Sequence, residues 1–203
     1  PIVSVVVDQY GSYTFAWTET NGICSDDSLF TVEFFEPTVA SAGMGGDTCS
    51  LDFNLSATPS AGLGQWSLLA GPGSATFLPS DTVPDAVASV SQVGTYTFQW
   101  SVTNGICASA ASVTVNYFTP PPVDPGAGGR VCGLNFALNA FPNFGTGSWS
   151  LQSGPGTAIF SPSMNDADAT VTVSASGDYV FLWTESDGIC STDSAINVTF
   201  IDI

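Results

Sequence analysis

The chain is built from a unit that is copied every 83 residues without a gap. The heptapeptide at Gly11–Trp17 (GSYTFAW) recurs at Gly94–Trp100 (GTYTFQW) and at Gly177–Trp183 (GDYVFLW), so both offsets, 94 − 11 and 177 − 94, equal 83. The segment Asn21–Cys24 (NGIC) returns in the same register as Asn104–Cys107 (NGIC) and as Asp187–Cys190 (DGIC). This period is longer than the 20–50 residues of most solenoid repeats and suits a small independent domain. The copied unit therefore predicts a tandem array of domains.

The repeat sets the expected domain boundaries. Two full copies occupy 38–120 and 121–203, and a partial copy occupies 1–37. Pro1 aligns with Pro84, deep inside the second copy, so we expect the chain to begin in the middle of a module. The run Thr119–Pro122 (TPPP) lies at the junction of the full copies, and consecutive prolines form short, stiff connectors.

Within each copy, apolar residues alternate with polar ones as they do in half-buried β-strands. One predicted inward row holds Leu51, Phe53, Leu55 and Ala57, and its copy holds Leu134, Phe136, Leu138 and Ala140. A second row holds Tyr96, Phe98 and Trp100; a third holds Val113, Val115 and Tyr117, matched by Phe30, Val32 and Phe34 and by Ile196, Val198 and Phe200. About seven short strands per copy predict an all-β fold of tandem immunoglobulin-like sandwiches.

Turn residues separate these predicted strands. Asn104-Gly105 lies between the second and third rows, and this dipeptide favours a type I′ hairpin turn, whose two central residues need positive φ. Gly71-Pro72-Gly73 predicts a second turn, between a strand containing Trp66 and a short strand at Ala75–Phe77.

The composition argues against several classes of function. The chain has 18 acidic residues and one basic residue, Arg130, and its net charge of −17 disfavours nucleic acid and anionic membrane as partners. It has no histidine and no lysine, so the usual general base and the commonest zinc ligand are missing. A pair of carboxylates of the glycosidase kind remains open on residue types alone. We expect no enzyme activity and no cofactor.

Five cysteines indicate an oxidising compartment. Pairing within each copy gives Cys49–Cys107 and Cys132–Cys190 and leaves Cys24 unpaired; pairing across copies gives Cys24–Cys49 and Cys107–Cys132 and leaves Cys190 unpaired. We favour pairing within copies, because an autonomous module should close its own disulfide. However, an ordinary sandwich places the start of its second strand and the start of its last strand at opposite ends. The pairing therefore requires an irregular first strand, or the cysteines are free.

The aromatic and acidic residues allow a ligand-binding interpretation and a structural one. Trp17, Trp100 and Trp183 share a face with neighbouring Tyr and Phe residues, so we expect them in the core and not on a carbohydrate platform. Between the two full copies the acids do not recur in register, apart from Asp85 and Asp168, so we favour a solvated acidic surface over calcium binding. Four phenylalanines fall outside the inward rows, where they either pack between modules or face solvent: Phe35, Phe118, Phe141 and Phe144.

At these motifs the sequence resembles the PKD-like repeats of Bacteroidetes cell-surface proteins. The resemblance is carried by the run that contains Gly94–Trp100 and ends at Cys107, by Ala42-Gly43, and by Trp66 followed by Gly71-Pro72-Gly73. It covers the whole chain and is nearest to gliding-motility adhesins of the SprB type, which the type 9 secretion system exports. One departure is that Trp66–Gly71 (WSLLAG) lacks the aspartate of ordinary PKD domains. The resemblance implies an immunoglobulin-like sandwich and a role in surface display or adhesion.

These observations predict a structural or adhesive segment of an extracellular, bacterial cell-surface protein. The expected partners are neighbouring repeats of the same chain, surface glycan or protein, or the secretion and motility machinery. Two alternatives stay open, namely a glycan- or protein-binding module that uses its loops and a spacer inside a secreted enzyme.

Overall fold

A computed structural model describes residues 2–143 and 146–202, and within them the chain is all β. Tyr10 is followed by a hairpin of two long strands, β1 (Gly11–Asn21) and β2 (Cys24–Phe34). The remaining strands form two sets of seven, and each set is divided between a four-stranded and a three-stranded sheet. The predicted fold class, tandem immunoglobulin-like β-sandwiches with about seven strands each, is confirmed.

The first set belongs to the copy 38–120. Its four-stranded sheet has the order β3-β9-β8-β5 and its three-stranded sheet has the order β4-β7-β6. The strands are β3 (Gly46–Thr48), β4 (Asp52–Asn54), β5 (Leu63–Ala70), β6 (Ala75–Leu78), β7 (Val87–Val90), β8 (Gly94–Asn104) and β9 (Cys107–Tyr117).

The second set repeats this topology in the copy 121–203. Its sheets have the orders β10-β16-β15-β12 and β11-β14-β13. The strands are β10 (Gly129–Cys132), β11 (Asn135–Ala137), β12 (Thr146–Ser153), β13 (Ala158–Ser161), β14 (Thr170–Val173), β15 (Gly177–Ser186) and β16 (Ser191–Ile201). β10 runs parallel to β16, with Cys132 opposite Ile201, whereas β15 and β16 form an antiparallel hairpin.

The chain divides into two compact units. One holds Pro1–Asp47 and Leu51–Tyr117, and the other holds Thr48–Ser50 and Phe118–Ile203. The partial copy 1–37 and most of the copy 38–120 share the first unit, so the boundaries 37/38 and 120/121 stay a sequence-based prediction.

The predicted inward rows form two separate cores, one in each full copy. The inward residues of the central strand β8 are almost fully buried, as are those in the C-terminal half of its neighbour β9. Their equivalents in β15 and β16 are buried in the same way. Each core is an aromatic stack, in which Tyr96 packs edge-on against Tyr117 and Tyr179 packs edge-on against Phe200. The first predicted row is inward from its second residue onward, because Leu51 and Leu134 lie exposed beside short strands.

One tyrosine contact recurs in all three copies. The hydroxyl groups of Tyr13, Tyr96 and Tyr179 each donate a 2.9 Å hydrogen bond to the backbone carbonyl four residues upstream. This contact resembles the tyrosine corner of immunoglobulin-like sandwiches, which fixes the chain where it enters a long strand.

The hairpin β1–β2 differs from its copies in burial. It forms a two-stranded sheet, and its aromatic row is largely exposed, with Trp17 45% and Phe30 54% accessible. The prediction that Trp17, Phe30 and Val32 face a core is therefore wrong for the described chain. The physical reason is that no second sheet packs on this face among residues 2–143 and 146–202.

The hairpin turns also differ from the predicted type I′. Asn104 pairs with Cys107, so the two-residue loop is Gly105-Ile106 and Asn104 belongs to the strand. Gly105 has φ of 59°, and no non-glycine residue in the described part of the chain has positive φ. Positive φ at the first loop residue alone is the pattern of a type II′ turn, which glycine at that position favours.

Candidate functional site

The cysteines are the sequence-predicted site residues, and the structure pairs them differently from the expectation. Cys49 is bonded to Cys190, with 5.7 Å between their Cα atoms and a sequence separation of 141. Cys24, Cys107 and Cys132 are free thiols. The pairs Cys49–Cys107 and Cys132–Cys190 are not formed, so the favoured pairing within each copy is wrong.

Strand register explains why pairing within a copy fails. Cys132 lies opposite Ile201, at the end of β16, whereas Cys190 immediately precedes β16. Eleven residues of extended strand separate these two levels, a distance of roughly 36 Å. A disulfide requires Cα atoms about 6 Å apart. The two cysteines of this copy are therefore held at opposite ends of the sandwich.

The copy 38–120 repeats this arrangement. The Thr48 carbonyl, next to Cys49, accepts a 2.8 Å hydrogen bond from the Phe118 N–H, just beyond the end of β9. Cys107 is the first residue of β9. The short first strand thus carries its cysteine to the end of the sandwich that is remote from the hairpin cysteine. This is the placement that an ordinary sandwich gives to these two positions.

A distinct loop presents the bonded Cys190. The hairpins β1–β2 and β8–β9 have two-residue loops, but the ladder of β15–β16 ends at Ser186 and Ser191 and leaves a four-residue loop. The Asp187 carboxylate accepts hydrogen bonds from the N–H groups of Cys190 at 2.7 Å and Ile189 at 2.9 Å. The backbone N–H of Asp187 donates to the Cys190 carbonyl at 3.1 Å. These bonds fix the backbone that carries the Cys190 sulfur.

The same contacts perturb the Asp187 carboxyl. The hydrogen bond from the Cys190 N–H, followed by that from the Ile189 N–H, holds the pKa of Asp187 below its usual value. Backbone N–H donors stabilise the charged carboxylate, and this lowers its proton affinity. The loop backbone therefore favours the ionised form of Asp187. The first two copies have Asn21 and Asn104 at this position.

A groove recurs at equivalent positions of the two full copies. In the first copy it has a volume of about 600 Å³ and is bordered by Gly64, Gln65, Trp100 and Ser101. In the second copy it has a volume of about 890 Å³ and is bordered by Gly147, Ser148, Trp183 and Thr184, which are the same positions plus 83. Both linings mix apolar side chains, such as Leu63 and Pro84 in the first groove, with hydroxyl groups, such as Ser101 and Thr184.

The tryptophans beside these grooves are core residues and present no open ring face. Trp100 is 2% and Trp183 1% exposed, and each packs on a second tryptophan, Trp66 or Trp149, at ring-centroid distances of 5.1 and 5.2 Å. A Cβ placed on Gly64 would lie 1.9 Å from the Trp100 ring, so only glycine fits there. The core assignment of Trp100 and Trp183 is confirmed, and the carbohydrate-platform interpretation does not hold for them.

A buried carboxylate beside Trp183 is absent from the sequence-based predictions. Glu185 is fully buried and accepts a 2.9 Å hydrogen bond from Trp183 Nε1 and a 3.1 Å bond from the Asn143 N–H. Glu19 accepts the same bond from Trp17 at 3.0 Å. The first full copy has Val102 at this position, and Trp100 Nε1 is a buried donor without a partner among the described residues. The signal that could have found this pair is Trp-x-Glu in the first and third copies.

The four phenylalanines outside the inward rows differ among themselves. Phe35 is partly buried and lies against the Gly105 backbone, where an added Cβ would approach its ring to 2.1 Å. Phe118 is also partly buried, whereas Phe141 is 57% exposed. Phe144 lies outside the described residues.

Neither a metal-ligand cluster nor a membrane-spanning helix occurs in the described residues. Residues 2–143 and 146–202 contain no group of three or more His, Cys, Asp or Glu side chains placed to hold a metal ion. The same residues form no helix long and apolar enough to span a bilayer.

Comparison with known proteins gives structural likeness at the level of the fold. The chain matches no protein family model and no curated protein. Solved structures that it resembles include the extracellular domains 3–5 of Drosophila OTK (10% identity, TM-score 0.41, covering 97% of this chain and 72% of that one). Others are fibronectin(III)-like modules of Clostridium thermocellum CbhA (14%, 0.38, 81% and 95%) and the endo-fucoidan hydrolase MfFcnA4 of glycoside hydrolase family 107 (14%, 0.31, 97% and 34%). The chain thus spans about a third of that hydrolase.

Proposed function

We propose that this chain is a tension-resisting segment of an extracellular tandem β-sandwich array in a bacterial surface adhesin, and that it has no catalytic activity. The observation that carries the proposal is the bond from Cys49 in one 83-residue copy to Cys190 in the next. A bond that crosses between copies limits how far the chain can be extended when its ends are pulled. Such a connection suits a stalk or filament, whose function depends on reach and mechanical strength.

The surroundings of the array follow from its chemistry. Structural disulfides persist in oxidising compartments, which supports an extracellular location. A net charge of −17 keeps a chain rich in strands soluble and discourages its sheet edges from pairing with other proteins. The assignment to a bacterial surface, to gliding motility and to type 9 secretion rests on the resemblance to PKD-like repeats.

The mechanical proposal is tested by pulling single molecules from their ends. With the disulfide intact, the segment between Cys49 and Cys190, a sequence separation of 141, forms a closed loop and adds no length when the chain is pulled. Adding a reductant should release a further contour length of about 500 Å, taking roughly 3.6 Å per residue. The variant Cys49→Ser should show that length without reductant. If the native chain extends equally in oxidised and reduced buffer, it has no bond that limits its extension.

A second candidate function is recognition of a glycan or protein by the paired grooves. It is favoured by one observation, the recurrence of a groove at equivalent positions in both full copies. Two grooves in one chain would also raise the effective affinity for a repetitive ligand.

The two candidates are separated by binding the native chain to a glycan array and by pull-down from extracellular material. A pure spacer binds nothing. Groove recognition predicts binding that is lost in the double variant Ser101→Arg with Thr184→Arg and kept in Ser12→Arg, which changes an exposed residue outside both groove linings. Binding that is equal in all three proteins would exclude the grooves.

A further inference from the structure

Each free thiol occupies a position that is bonded in another copy. Cys132 is the equivalent of Cys49 (49 + 83), and Cys107 and Cys24 are the equivalents of Cys190 (190 − 83 and 190 − 166). Cys49 and Cys190 form the one disulfide found in the described residues. The chain thus has one disulfide bond and three free thiols, each at a position equivalent to Cys49 or to Cys190.

The two kinds of half-site are held at fixed places in the sandwich. A first-strand cysteine, Cys49 or Cys132, lies at the end of the short strand that finishes beside the last residues of the copy. A hairpin cysteine, Cys107 or Cys190, comes at the start of the last strand, roughly 36 Å away along that strand. The two cysteines of one copy therefore cannot bond each other, and each of them needs a partner in another copy.

We propose that the Cys49–Cys190 bond is one member of a disulfide series with an 83-residue period. In this series the first-strand cysteine of every copy bonds the hairpin cysteine of the copy that follows it. Cys132 is then a cross-linking site for the hairpin cysteine of a further copy, and Cys107 is a site for the first-strand cysteine of a preceding one. The partner at each site is another copy of this repeat, whether or not the array resists tension.

Accessibility is consistent with this assignment. The free Cys132 is exposed and the free Cys107 is partly exposed, whereas the bonded Cys190 is 1% exposed. The thiols of Cys132 and Cys107 can therefore be reached, whereas in the completed bond Cys190 is buried and Cys49 is partly exposed.

Bond formation balances with a disulfide oxidant such as oxidised glutathione. The Cys132 thiolate attacks one sulfur of the oxidant and expels one glutathione thiolate, which leaves a mixed disulfide. The hairpin thiolate of the next copy then attacks the Cys132 sulfur and expels the second glutathione thiolate. Two protein thiols become one disulfide, they lose two electrons and two protons, and the oxidant is reduced to two thiols.

The test extends the full chain at its C-terminus with a second copy of residues 121–203, which keeps the 83-residue period. The native chain has five cysteines, one bond and therefore three thiols. The extended chain has two more cysteines. After oxidation in a glutathione buffer, the series predicts a second bond and again three thiols (7 − 4), with Cys132 linked to the equivalent of Cys190 in the added copy. The variant Cys132→Ser of the extended chain should have four thiols (6 − 2).

Thiol counting under denaturing conditions and non-reducing peptide mapping give the outcome. Five thiols (7 − 2) with the Cys49–Cys190 bond intact, or a bond between the two cysteines of the added copy, would overturn the proposal. A second extension that uses residues 38–120 as the added copy should also give three thiols. This second extension guards against misfolding of one particular copy, and five thiols in both extensions would end the proposal.

Discussion

At the scale of single residues, the three copies place the same tryptophan in three settings. Trp183 donates to a buried Glu185, Trp17 donates to Glu19 in an exposed hairpin, and Trp100 Nε1 is buried without a partner among the described residues because Val102 replaces the glutamate. A buried donor that loses its acceptor lowers the free energy of unfolding by about 1–3 kcal/mol, whereas an exposed donor forms a hydrogen bond with water instead, at little cost. The same pair should therefore contribute differently in the two copies that have it.

We predict that Glu185→Ala lowers the free energy of unfolding of the second full copy by about 1–3 kcal/mol, because both Trp183 Nε1 and the Asn143 N–H lose their acceptor. Glu19→Ala, its exposed counterpart, should change stability by less than about 0.5 kcal/mol. Urea denaturation followed by tryptophan fluorescence measures both. Equal effects of the two substitutions would mean that burial does not set the strength of the pair.

At the scale of strands and loops, glycine allows two long strands to pack closely. The backbone of Gly64 in β5 packs directly against the Trp100 ring, and that of Gly147 in β12 packs against the Trp183 ring. A Cβ added to either glycine would lie within 2.0 Å of a ring carbon. A glycine such as Gly46 in β3 has no such neighbour, since its nearest ring atom would be 3.7 Å from an added Cβ.

Gly64→Ala and Gly147→Ala should each destabilise their copy by about 1–3 kcal/mol through overpacking of the tryptophan pair. Gly46→Ala makes the same chemical change where the added Cβ meets only ordinary van der Waals contact, so it should stay within about 0.5 kcal/mol of the native chain. Thermal or urea unfolding of the three variants decides the matter. If the two core variants are as stable as Gly46→Ala, the tryptophan rings must be able to shift.

The hairpin loop that carries Cys190 should respond to acid. Hydrogen bonds lower the folded pKa of Asp187 below its unfolded value, so their stabilisation is fully present above the unfolded pKa and is lost as pH falls through the folded pKa. Amide hydrogen exchange at Ile189 and Cys190 should therefore lose protection as the pH falls below the ordinary value of 3.8. Asp187→Asn, which has no titrating carboxyl, should remove this pH dependence. A native loop with constant protection through this range would contradict the assignment.

Much of each element could be predicted because alternation is a local signal. The inward rows of β8 and β9 follow from the alternation, and the repeat supports them independently. The burial of Leu55 follows from the same pattern, but the exposure of Leu51 depends on where a three-residue strand begins. The type I′ prediction is wrong because a shift of one residue in register moves Asn104 from the loop into the strand. Local sequence does not fix that register.

At the scale of the whole molecule, the Cys49–Cys190 bond decides how the copies are connected. Modules that each closed their own disulfide would be independent domains connected only by the polypeptide chain. A bond from Cys49 to Cys190 instead joins successive copies at a second point besides the chain itself. The expected strand order already places the two cysteines of one copy at opposite ends of the sandwich, in conflict with a bond between them. The sequence could not choose the partner, because the parallel register that sends Cys132 to the end of β16 is a tertiary property.

The structural function proposed above predicts a chain without catalytic activity. Each core is filled by side chains of its own copy. We therefore expect the chain to show no hydrolytic activity on polysaccharides. Assays with acidic and neutral polysaccharides as substrates would reveal a catalytic pair of carboxylates if one operates here.

Non-reducing peptide mapping of the native chain, expressed in an oxidising compartment and digested after its thiols are blocked, tests this account most directly. We predict one linked pair, containing Cys49 and Cys190, and blocked thiols at Cys24, Cys107 and Cys132. Recovery of Cys49 linked to Cys107 and of Cys132 linked to Cys190 would contradict it. Those bonds would return each copy to an independent module.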